Sequence, residues 1–263
     1  MTMPYIVAIR AFTDNYIWVI RDHYNAVVVD PGDATPVLDY LRQESLKLVA
    51  ILNTHHHNDH VGGNAALLRE FTVPVYGPAS ESIPTVTRRL KECHDKESEE
   101  GCAYIPELSL SLRVLDIPGH TAGHIAYYGL NMLFCGDTLF ACGCGRLFEG
   151  TATQMADSLE KLADLPNETQ VYCGHEYTLN NIRFARVVEP GNQALIEREA
   201  IVENLRKQSL PTLPSTIGLE KATNPFLRCQ QPEVIKNASN YVGKPLSDPV
   251  AVFAAIRDWK NNF

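Results

Sequence analysis

The chain has 263 residues, 45% of them hydrophobic and 21% charged, which is enough apolar material for one large domain or two unequal ones. Its net charge of −8 argues against a nucleic-acid partner, and the lack of an apolar run of about 20 residues argues against a membrane partner. Seven irregularly spaced cysteines and an N-terminus unlike a secretory signal predict reduced thiols in a cytoplasmic protein.

Strand and helix patterns alternate over the first two thirds of the chain. Three short runs rich in β-branched and aromatic residues, ending near residue 30, predict a β-meander. A continuous apolar run at 48–54 predicts a buried strand. Residues 80–103 are polar and predict a surface helix or a mobile loop. We expect strands at 5–11, 16–21, 26–30, 48–54, 73–77, 112–117, 125–130, 132–135 and 170–174, and helices at 36–43, 64–71 and 153–165.

After residue 174 the strand signal nearly disappears. Helical patterns follow at 180–188, 193–208, 232–241 and 249–261, separated by proline-rich segments. This change predicts two domains, one at 1–168 and a mainly helical one at 169–263.

The segment THHHNDH (54–60) directly follows the apolar run that predicts a buried strand. A solvated polar loop is the simplest alternative, but it would gain little from four imidazoles, and buried rings would need polar partners. His55 and His57 are two apart and, in an extended segment, point the same way. Asp59 and His60 lie one turn further along. The segment therefore predicts a metal site.

Three later segments carry further potential ligands, each at the end of a predicted strand. PGHTAGH contains His120 and His124, FCGDT contains Asp137, and VYCGHEY contains His175. Seven of the nine histidines of the chain lie in these segments and the THHHNDH loop. Because strand ends that meet at one edge of a sheet commonly form the site, we expect these side chains to converge.

The expected ligands divide between two ions, with one carboxylate free to bridge them. Imidazole suits zinc and iron and carboxylate suits harder ions, so the set fits zinc, iron or manganese and differs from a closed, cysteine-rich structural site. The first ion is expected at His55, His57 and His120, the second at Asp59, His60 and His175, with Asp137 as the bridge.

The combination THxHxDH, GHTxGH, GDT and GHEY, spread over residues 54–177, resembles the metallo-β-lactamase superfamily. This resemblance implies an α+β fold, a four-layer αββα sandwich, with a binuclear metal centre at one edge. It also implies that His124 supports the ligands and does not bind a metal ion.

Longer stretches, among them GDTLFACGCGRLFEGT (136–151) and the tail AAIRDWKNNF (254–263), closely resemble the glyoxalase II family, the hydroxyacylglutathione hydrolases. The similarity runs over nearly the whole chain. It implies hydrolysis of S-D-lactoylglutathione to glutathione and D-lactate, the second step of methylglyoxal detoxification. It also implies that the C-terminal helical domain completes the substrate site, and we expect a monomer.

Arg257 and Lys260 lie three apart on a predicted helix and could hold a glutathione carboxylate, although a solvated face is the commoner fate of such a pair. Tyr177 and Asn181 follow His175 and could donate a hydroxyl and an amide to the peptide part of the substrate; an ordinary helix start is the alternative.

Two expected substrate-binding positions depart from the family pattern. Arg146 stands where the family usually has lysine, which keeps the charge but changes its geometry. Phe148 stands where the animal enzymes have tyrosine, so one hydroxyl is lost. Between the glycines nearby, Cys142 and Cys144 are expected to be small buried thiols in a tight turn and not metal ligands.

The expected mechanism uses a hydroxide generated by the two ions, zinc in the first instance with iron or manganese as alternatives, and oriented by Asp59. Alternatives on the same fold are a glutathione persulfide dioxygenase with one iron, and another hydrolase such as a β-lactamase, a lactonase or a nuclease. A non-catalytic metal-binding or interaction protein is a third.

Overall fold

A computed structural model of the chain describes residues 4–93 and 101–263. The chain divides into two compact units that interleave along the sequence. Unit 1 comprises Met1–Asp116 and Ala122–Gly136, and unit 2 comprises Ile117–Thr121 and Asp137–Phe263. The domains expected at 1–168 and 169–263 are a different division, and they stay a prediction.

Unit 1 contains a six-stranded sheet whose strands follow one another in chain order. The first three strands are antiparallel, as the predicted meander requires, and the next three are added in parallel. The strands are β1 Tyr5–Ala11, β2 Asn15–Arg21, β3 Asn25–Val29, β4 Lys47–Leu52, β5 Val75–Pro78 and β6 Arg88–Leu90.

Helices α1 (Ala34–Gln43) and α3 (Asn64–Glu70) bury their apolar faces in the core that includes β3 and β4. Val37, Leu41 and Leu67 contribute to the same buried cluster as Val28 and Ile51. Helix α2 (Asn58–Val61) is a single turn that follows β4. The predicted helices at 36–43 and 64–71 and the strand at 48–54 are therefore confirmed, and α2 places part of the histidine segment on a helix.

The expectation of a surface helix or mobile loop at 80–103 was wrong at β6 and at residues 102–103, where a further strand, β7 (Cys102–Ile105), begins. Strand β6 pairs with β5 over only three residues, and its two arginines are exposed. Such a short, polar strand does not show the alternation of apolar residues by which a half-buried strand is recognised in a sequence. Residues 94–100 of this range lie outside the described residues.

A second set of four strands in unit 1 forms an antiparallel meander. Leu130 and Asn131, both with positive φ, make the tight turn between its last two strands, as expected for a two-residue hairpin loop. The Tyr127 hydroxyl donates to the Asn53 carbonyl at the end of β4, 2.9 Å away. The strands are β7 Cys102–Ile105, β8 Leu110–Asp116, β9 Ile125–Gly129 and β10 Met132–Gly136.

Unit 2 is mainly helical, as predicted for the last third of the chain. Four short strands accompany the helices: β11 Leu139–Phe140 pairs with β12 Gly143–Cys144, and β13 Gln170–Cys173 pairs with β14 Ser215–Thr216. The helices are α4 Ala152–Ala163, α5 Thr178–Val188, α6 Gln193–Lys207, α7 Ile217–Thr223, α8 Pro232–Val242 and α9 Pro249–Asn261.

Local signals explain where several of these helices begin. Thr151 and Gln154 form a reciprocal capping box at α4, and Asp248 caps α9 through the backbone amide of Ala251. Residues of α5 and α6, among them Ile182 and Leu195, pack with Cys142 of the β11–β12 hairpin in one buried cluster. The hairpin is thereby tied to the helical part of unit 2.

Membrane-spanning helices and disulfide bonds are two features that the structure addresses directly. Among the helices of residues 4–93 and 101–263, none has the length and apolar character needed to cross a bilayer. None of the seven cysteines, all of which are described, takes part in a disulfide.

Candidate active site

The histidine loop of unit 1 runs from the end of β4 into α2. The Nε2 atom of His55 lies 3.1 Å from Nδ1 of His57, so the two rings expected to share an ion face the same point. In α2, His60 Nε2 lies 3.4 Å from the Asp59 carboxylate. Each expected ligand pair of the loop is therefore assembled within the unit.

Asp30 is a residue that the sequence reasoning missed. Its buried carboxylate accepts hydrogen bonds from the backbone amide and the hydroxyl of Thr54, at 2.8 and 2.7 Å, and lies 3.0 Å from His60 Nδ1. Potential ligand atoms of Asp30, His55 and His60 all lie within 4.8 Å of one another. A carboxylate on the far nitrogen fixes the tautomer and the orientation of a metal-binding imidazole. Asp30 directly follows the apolar strand β3, just as Asp137 directly follows β10. This position at a strand end is the feature of the sequence by which Asp30 could have been found.

The position of Asp59 depends on two residues outside the loop. The Asn15 side-chain amide donates to the Asp59 carboxylate over 3.0 Å. Gly32 lies so close to the backbone of Asp59 that a Cβ atom there would be 1.9 Å from its carbonyl oxygen. A side chain at position 32 would displace the turn that carries Asp59, so close approach is why glycine is needed there.

The other two histidines of unit 1's site segments have different surroundings. The ring of His124 is buried and stacks on that of His55, with centroids 4.5 Å apart, and its Nδ1 lies 3.1 Å from the Ile125 carbonyl. His56 instead pairs with the buried Glu81 carboxylate over 3.0 Å. These contacts give His124 a packing role beside an expected ligand and turn His56 toward Glu81.

Three further expected ligands meet in unit 2. One oxygen of Asp137 lies 3.3 Å from His175 Nε2 and 3.6 Å from His120 Nε2. His120 Nδ1 is 2.9 Å from the Arg146 carbonyl, and the ring of His175 stacks in parallel on that of Tyr177, with centroids 4.7 Å apart. One carboxylate thus lies between two oriented imidazoles.

A cavity of about 480 Å³ opens beside these residues in unit 2, a size typical of small-molecule sites. His120 and Asp137 line it together with the hairpin residues Phe140 and Cys144. All six residues expected to bind substrate line it as well: Arg146, Phe148, Tyr177, Asn181, Arg257 and Lys260.

Two cations from α9 enter the cavity, and both also contact protein groups. Arg257 donates from Nη1 to the Cys144 carbonyl at 2.8 Å and lies over the ring of Phe226. Lys260 Nζ contacts the side-chain oxygen of Asn181. Burial, reinforced by the charge of Arg257, lowers the pKa of Lys260 to about 7. The cavity wall is therefore strongly cationic, and one of its cations can gain or lose a proton near neutral pH.

Asn181 and Phe148 differ in how they are held. The Asn181 amide nitrogen donates to the Ala141 carbonyl at 2.9 Å while its oxygen faces Lys260, so both ends of the amide contact the protein. Phe148 is 63% exposed and packs edge-on against His120. Asn181 supports the wall of the cavity, and Phe148 forms its open rim.

Cys142 and Cys144 are buried beside the cavity. Burial raises the pKa of Cys142 to about 12 and that of Cys144 above its ordinary value, so both thiols stay protonated at neutral pH. This agrees with the expectation of small buried thiols, since thiolate is the form that binds metals and reacts.

Comparison with known proteins gives the class first. Residues 11–175 match the family model described as the metallo-beta-lactamase superfamily. A crystal structure of ETHE1 from Myxococcus xanthus has a TM-score of 0.64, with 24% identity, 97% of this chain and 96% of that chain covered. A BLEG-1 B3 metallo-beta-lactamase structure has a TM-score of 0.59, with 26% identity, 85% of this chain and 99% of that one covered. The fold and the histidine–aspartate site are those of a metallo-β-lactamase superfamily protein that binds divalent metal ions.

The second match narrows this class. Residues 176–263 match the model described as the hydroxyacylglutathione hydrolase C-terminus. A hydroxyacylglutathione hydrolase of Nitrosomonas europaea is 62% identical over 258 residues, with 98% of this chain and 96% of the relative covered. A hydroxyacylglutathione hydrolase of Aeromonas salmonicida is 51% identical over 259 residues, with 98% of this chain and 99% of the relative covered. The chain belongs to the hydroxyacylglutathione hydrolase family, and the expected sandwich with a helical C-terminal region is confirmed.

Proposed function

We propose that this chain hydrolyses S-D-lactoylglutathione, or a related S-(2-hydroxyacyl)glutathione, to glutathione and the hydroxy acid. Membership of the hydroxyacylglutathione hydrolase family supports the reaction class. The observation that carries the proposal is that all six expected substrate residues line one cavity with His120 and Asp137. The substrate would thus lie against expected metal ligands with its peptide part among cations.

The donor set fits two divalent ions. All seven expected ligands are either paired with one another or hydrogen-bonded at the far nitrogen, and all are imidazoles or carboxylates, which suit zinc, iron or manganese. We propose zinc, with His55, His57 and His120 for one ion, Asp59, His60 and His175 for the other, and Asp137 bridging. Ions bound there would supply Lewis-acid activation of water and of the thioester carbonyl.

Asp59 is the proposed catalytic residue of the chain itself. The Asn15 amide holds one of its oxygens, which fixes the plane of the carboxylate. A carboxylate oriented in this way can accept a hydrogen bond from the attacking water. That bond directs a lone pair of the water oxygen at the thioester carbon. The thiolate of glutathione is a good leaving group and takes up a proton from solvent after it departs, so we assign no general acid to it.

The substrate would be oriented by the cationic wall and by Tyr177. Glutathione carries two carboxylates, and Arg146, Arg257 and Lys260 are the cavity cations able to bind them. The Tyr177 hydroxyl is the proposed donor to a peptide carbonyl. Phe148 offers only a ring at the rim, so the hydrogen bond that a tyrosine hydroxyl would make at this position is lost.

The small-molecule substrate suits a cytoplasmic enzyme, because glutathione thioesters form where glutathione is abundant and thiols are reduced. We further propose that the protein acts as a monomer.

The test combines metal analysis with hydrolysis of S-D-lactoylglutathione, using a thioester without glutathione as the substrate control. His55→Ala should lose bound metal and hydrolysis together, by more than the 10–100-fold cost of removing an outer partner of a metal ligand. His56→Ala is the matched control from the same loop and should keep both. Full turnover by a metal-free His55→Ala enzyme, or equal rates on both thioesters, would refute the proposal. Oxygen consumption with glutathione persulfide would favour a dioxygenase.

A further inference from the structure

The hairpin of β11 and β12 forms one wall of the substrate cavity, but few hydrogen bonds within the hairpin stabilise its conformation. Phe140 and Cys144 from the hairpin, and Arg146 just after it, line the cavity. The two strands pair over only two residues each. At the turn, Cys142 has a φ of +56°, a left-handed conformation that is uncommon for a residue other than glycine. The conformation of the hairpin must therefore be imposed by its surroundings.

Buried side chains from the helical part of unit 2 supply that support. Asn224 donates from its amide nitrogen to the carbonyls of Phe140 and Gly143, at 3.1 and 2.9 Å. The backbone amide of Cys142, at the left-handed turn, donates to the Glu220 carboxylate over 2.8 Å. These bonds join both strands and the turn to α7 and the residue that follows it.

Glu220 is the centre of this arrangement. The side chain is fully buried, and the oxygen that accepts from Cys142 also accepts from the Asn224 amide at 3.0 Å. Its other oxygen accepts from Arg198 Nη2 at 2.7 Å and contacts the Ser215 hydroxyl. Arg198 thus neutralises a carboxylate that also accepts from Ser215, from the hairpin and from Asn224, the residue that clamps the hairpin.

We propose that Glu220 is a positioning residue for the substrate cavity, acting through the amide of Cys142 and the side chain of Asn224. This inference rests on the proposed function for its kinetic consequence, since Phe140, Cys144 and Arg146 would contact the glutathione part of the substrate. Loss of the Glu220 acceptor leaves the Cys142 amide buried without a partner and frees the left-handed turn to relax. The two strands and the turn between them would then lose their shape, while the expected metal ligands, none of which lies on the hairpin, keep theirs.

The test must separate this role from that of a buried ion pair, because removing one charge alone leaves an uncompensated charge in the core. Both charges are therefore removed together. Arg198→Met with Glu220→Gln keeps an oxygen acceptor for the Cys142 amide. Arg198→Met with Glu220→Leu removes the acceptor at similar side-chain volume. The two double variants differ in the hairpin bond and share the loss of the ion pair.

We expect the leucine variant to raise KM for S-D-lactoylglutathione about tenfold over the glutamine variant, which corresponds to about 1.4 kcal/mol of binding, with kcat changed far less. The matched control removes another ion pair of unit 2, Glu189–Arg228, whose two bonds of 2.7 Å do not involve the hairpin. Arg228→Met with Glu189→Leu should reduce thermal stability and leave KM unchanged.

A second measurement does not depend on catalysis. Thiol labelling followed by peptide mapping reports opening of the hairpin through Cys142 and Cys144, and global opening through the buried Cys135 and Cys229. The leucine variant should label selectively at Cys142 and Cys144. Equal labelling at all four cysteines, or identical KM and labelling for the two double variants, would overturn the inference. If the wild-type protein fails to hydrolyse the thioester, the proposed function falls, and selective labelling still decides the role of Glu220.

Discussion

Replacing Lys260 by methionine should stabilise the protein while weakening substrate binding. Two cations disfavour the charge of Lys260: Arg257 on the same helix and Arg146 beyond the hairpin. The oxygen of Asn181 on α5, which Lys260 Nζ contacts, is neutral and cannot balance that charge. The thiols of Cys142 and Cys144 face it from the hairpin and are protonated at neutral pH. Burial, with these charges, lowers the pKa of Lys260 from its ordinary 10.5 to about 7.

The magnitude follows from that change in pKa. At about 1.4 kcal/mol for each tenfold change in the ionisation equilibrium, a lowering from 10.5 to about 7 corresponds to at most about 5 kcal/mol of destabilisation. Because the side chain keeps partial contact with the open cavity, we expect about 2 kcal/mol.

The pH dependence has the same sign as that of a salt-bridged carboxylate, because folding lowers the pKa in both cases, but here it reflects a cost that is relieved as the pH rises. Below pH 7 the lysine is protonated in both the folded and the unfolded chain, and the folded state bears the full cost. Between pH 7 and 10.5 the unfolded chain binds more protons than the folded one, so this lysine makes the free energy of unfolding rise with pH. Above 10.5 it contributes nothing.

The assay is urea unfolding of the metal-loaded wild type and Lys260→Met at several pH values. The variant should be about 2 kcal/mol more stable at pH 7, and the difference should vanish toward pH 10.5. The exposed Lys236→Met serves as control and should show a difference from wild type that does not change with pH. KM for the glutathione thioester should rise severalfold in Lys260→Met, and in the wild type above pH 7. A stability difference that is constant from pH 7 to 10, or that grows with pH, would refute the reasoning.

Three further substitutions test single contacts of the site. Asp30→Asn should weaken divalent-metal retention about 10–100-fold, because the partner of His60 Nδ1 loses its charge; metal titration against a chelator measures this. Phe148→Tyr adds a hydroxyl at the exposed rim and should lower KM for the glutathione thioester with little change in kcat, whereas an unchanged KM would mean that the ring does not reach the substrate. Gly32→Ala should lower kcat and stability together, since its Cβ would lie 1.9 Å from the Asp59 carbonyl oxygen; an unaltered enzyme would contradict the close approach.

The strands and ligands that could be predicted share one property: their signal is local. The meander and β4 carry continuous runs of apolar residues, and the expected ligands follow such strands within a few positions. Five of the six α-helices of unit 2 were predicted from their periodicity and from proline-rich boundaries, and α7, with only seven residues, was not. The division of the ligands between two ions also came from counting residue types, and it stays a prediction.

The short elements and the supporting residues could not be predicted in this way. Strands β11, β12 and β14 have two residues each, too few to show a period, and they exist because side chains distant in sequence hold them. Asp30 reaches His60 over 30 positions, and Glu220 reaches Cys142 over 78. Asn181, an expected substrate residue, also contacts Ala141 and Lys260, which its place in the sequence did not reveal.

The sequence by itself determined which side chains can carry the chemistry, because imidazole and carboxylate donors at the ends of apolar strands are visible without a fold. Only the tertiary structure decided how those groups are oriented and charged. Orientation depends on buried hydrogen bonds such as that of Asp30 with His60, and charge depends on burial, as for Lys260. Orientation and charge both depend on which residues are neighbours in space. The identity of a polar residue in the sequence does not indicate which residues those neighbours will be.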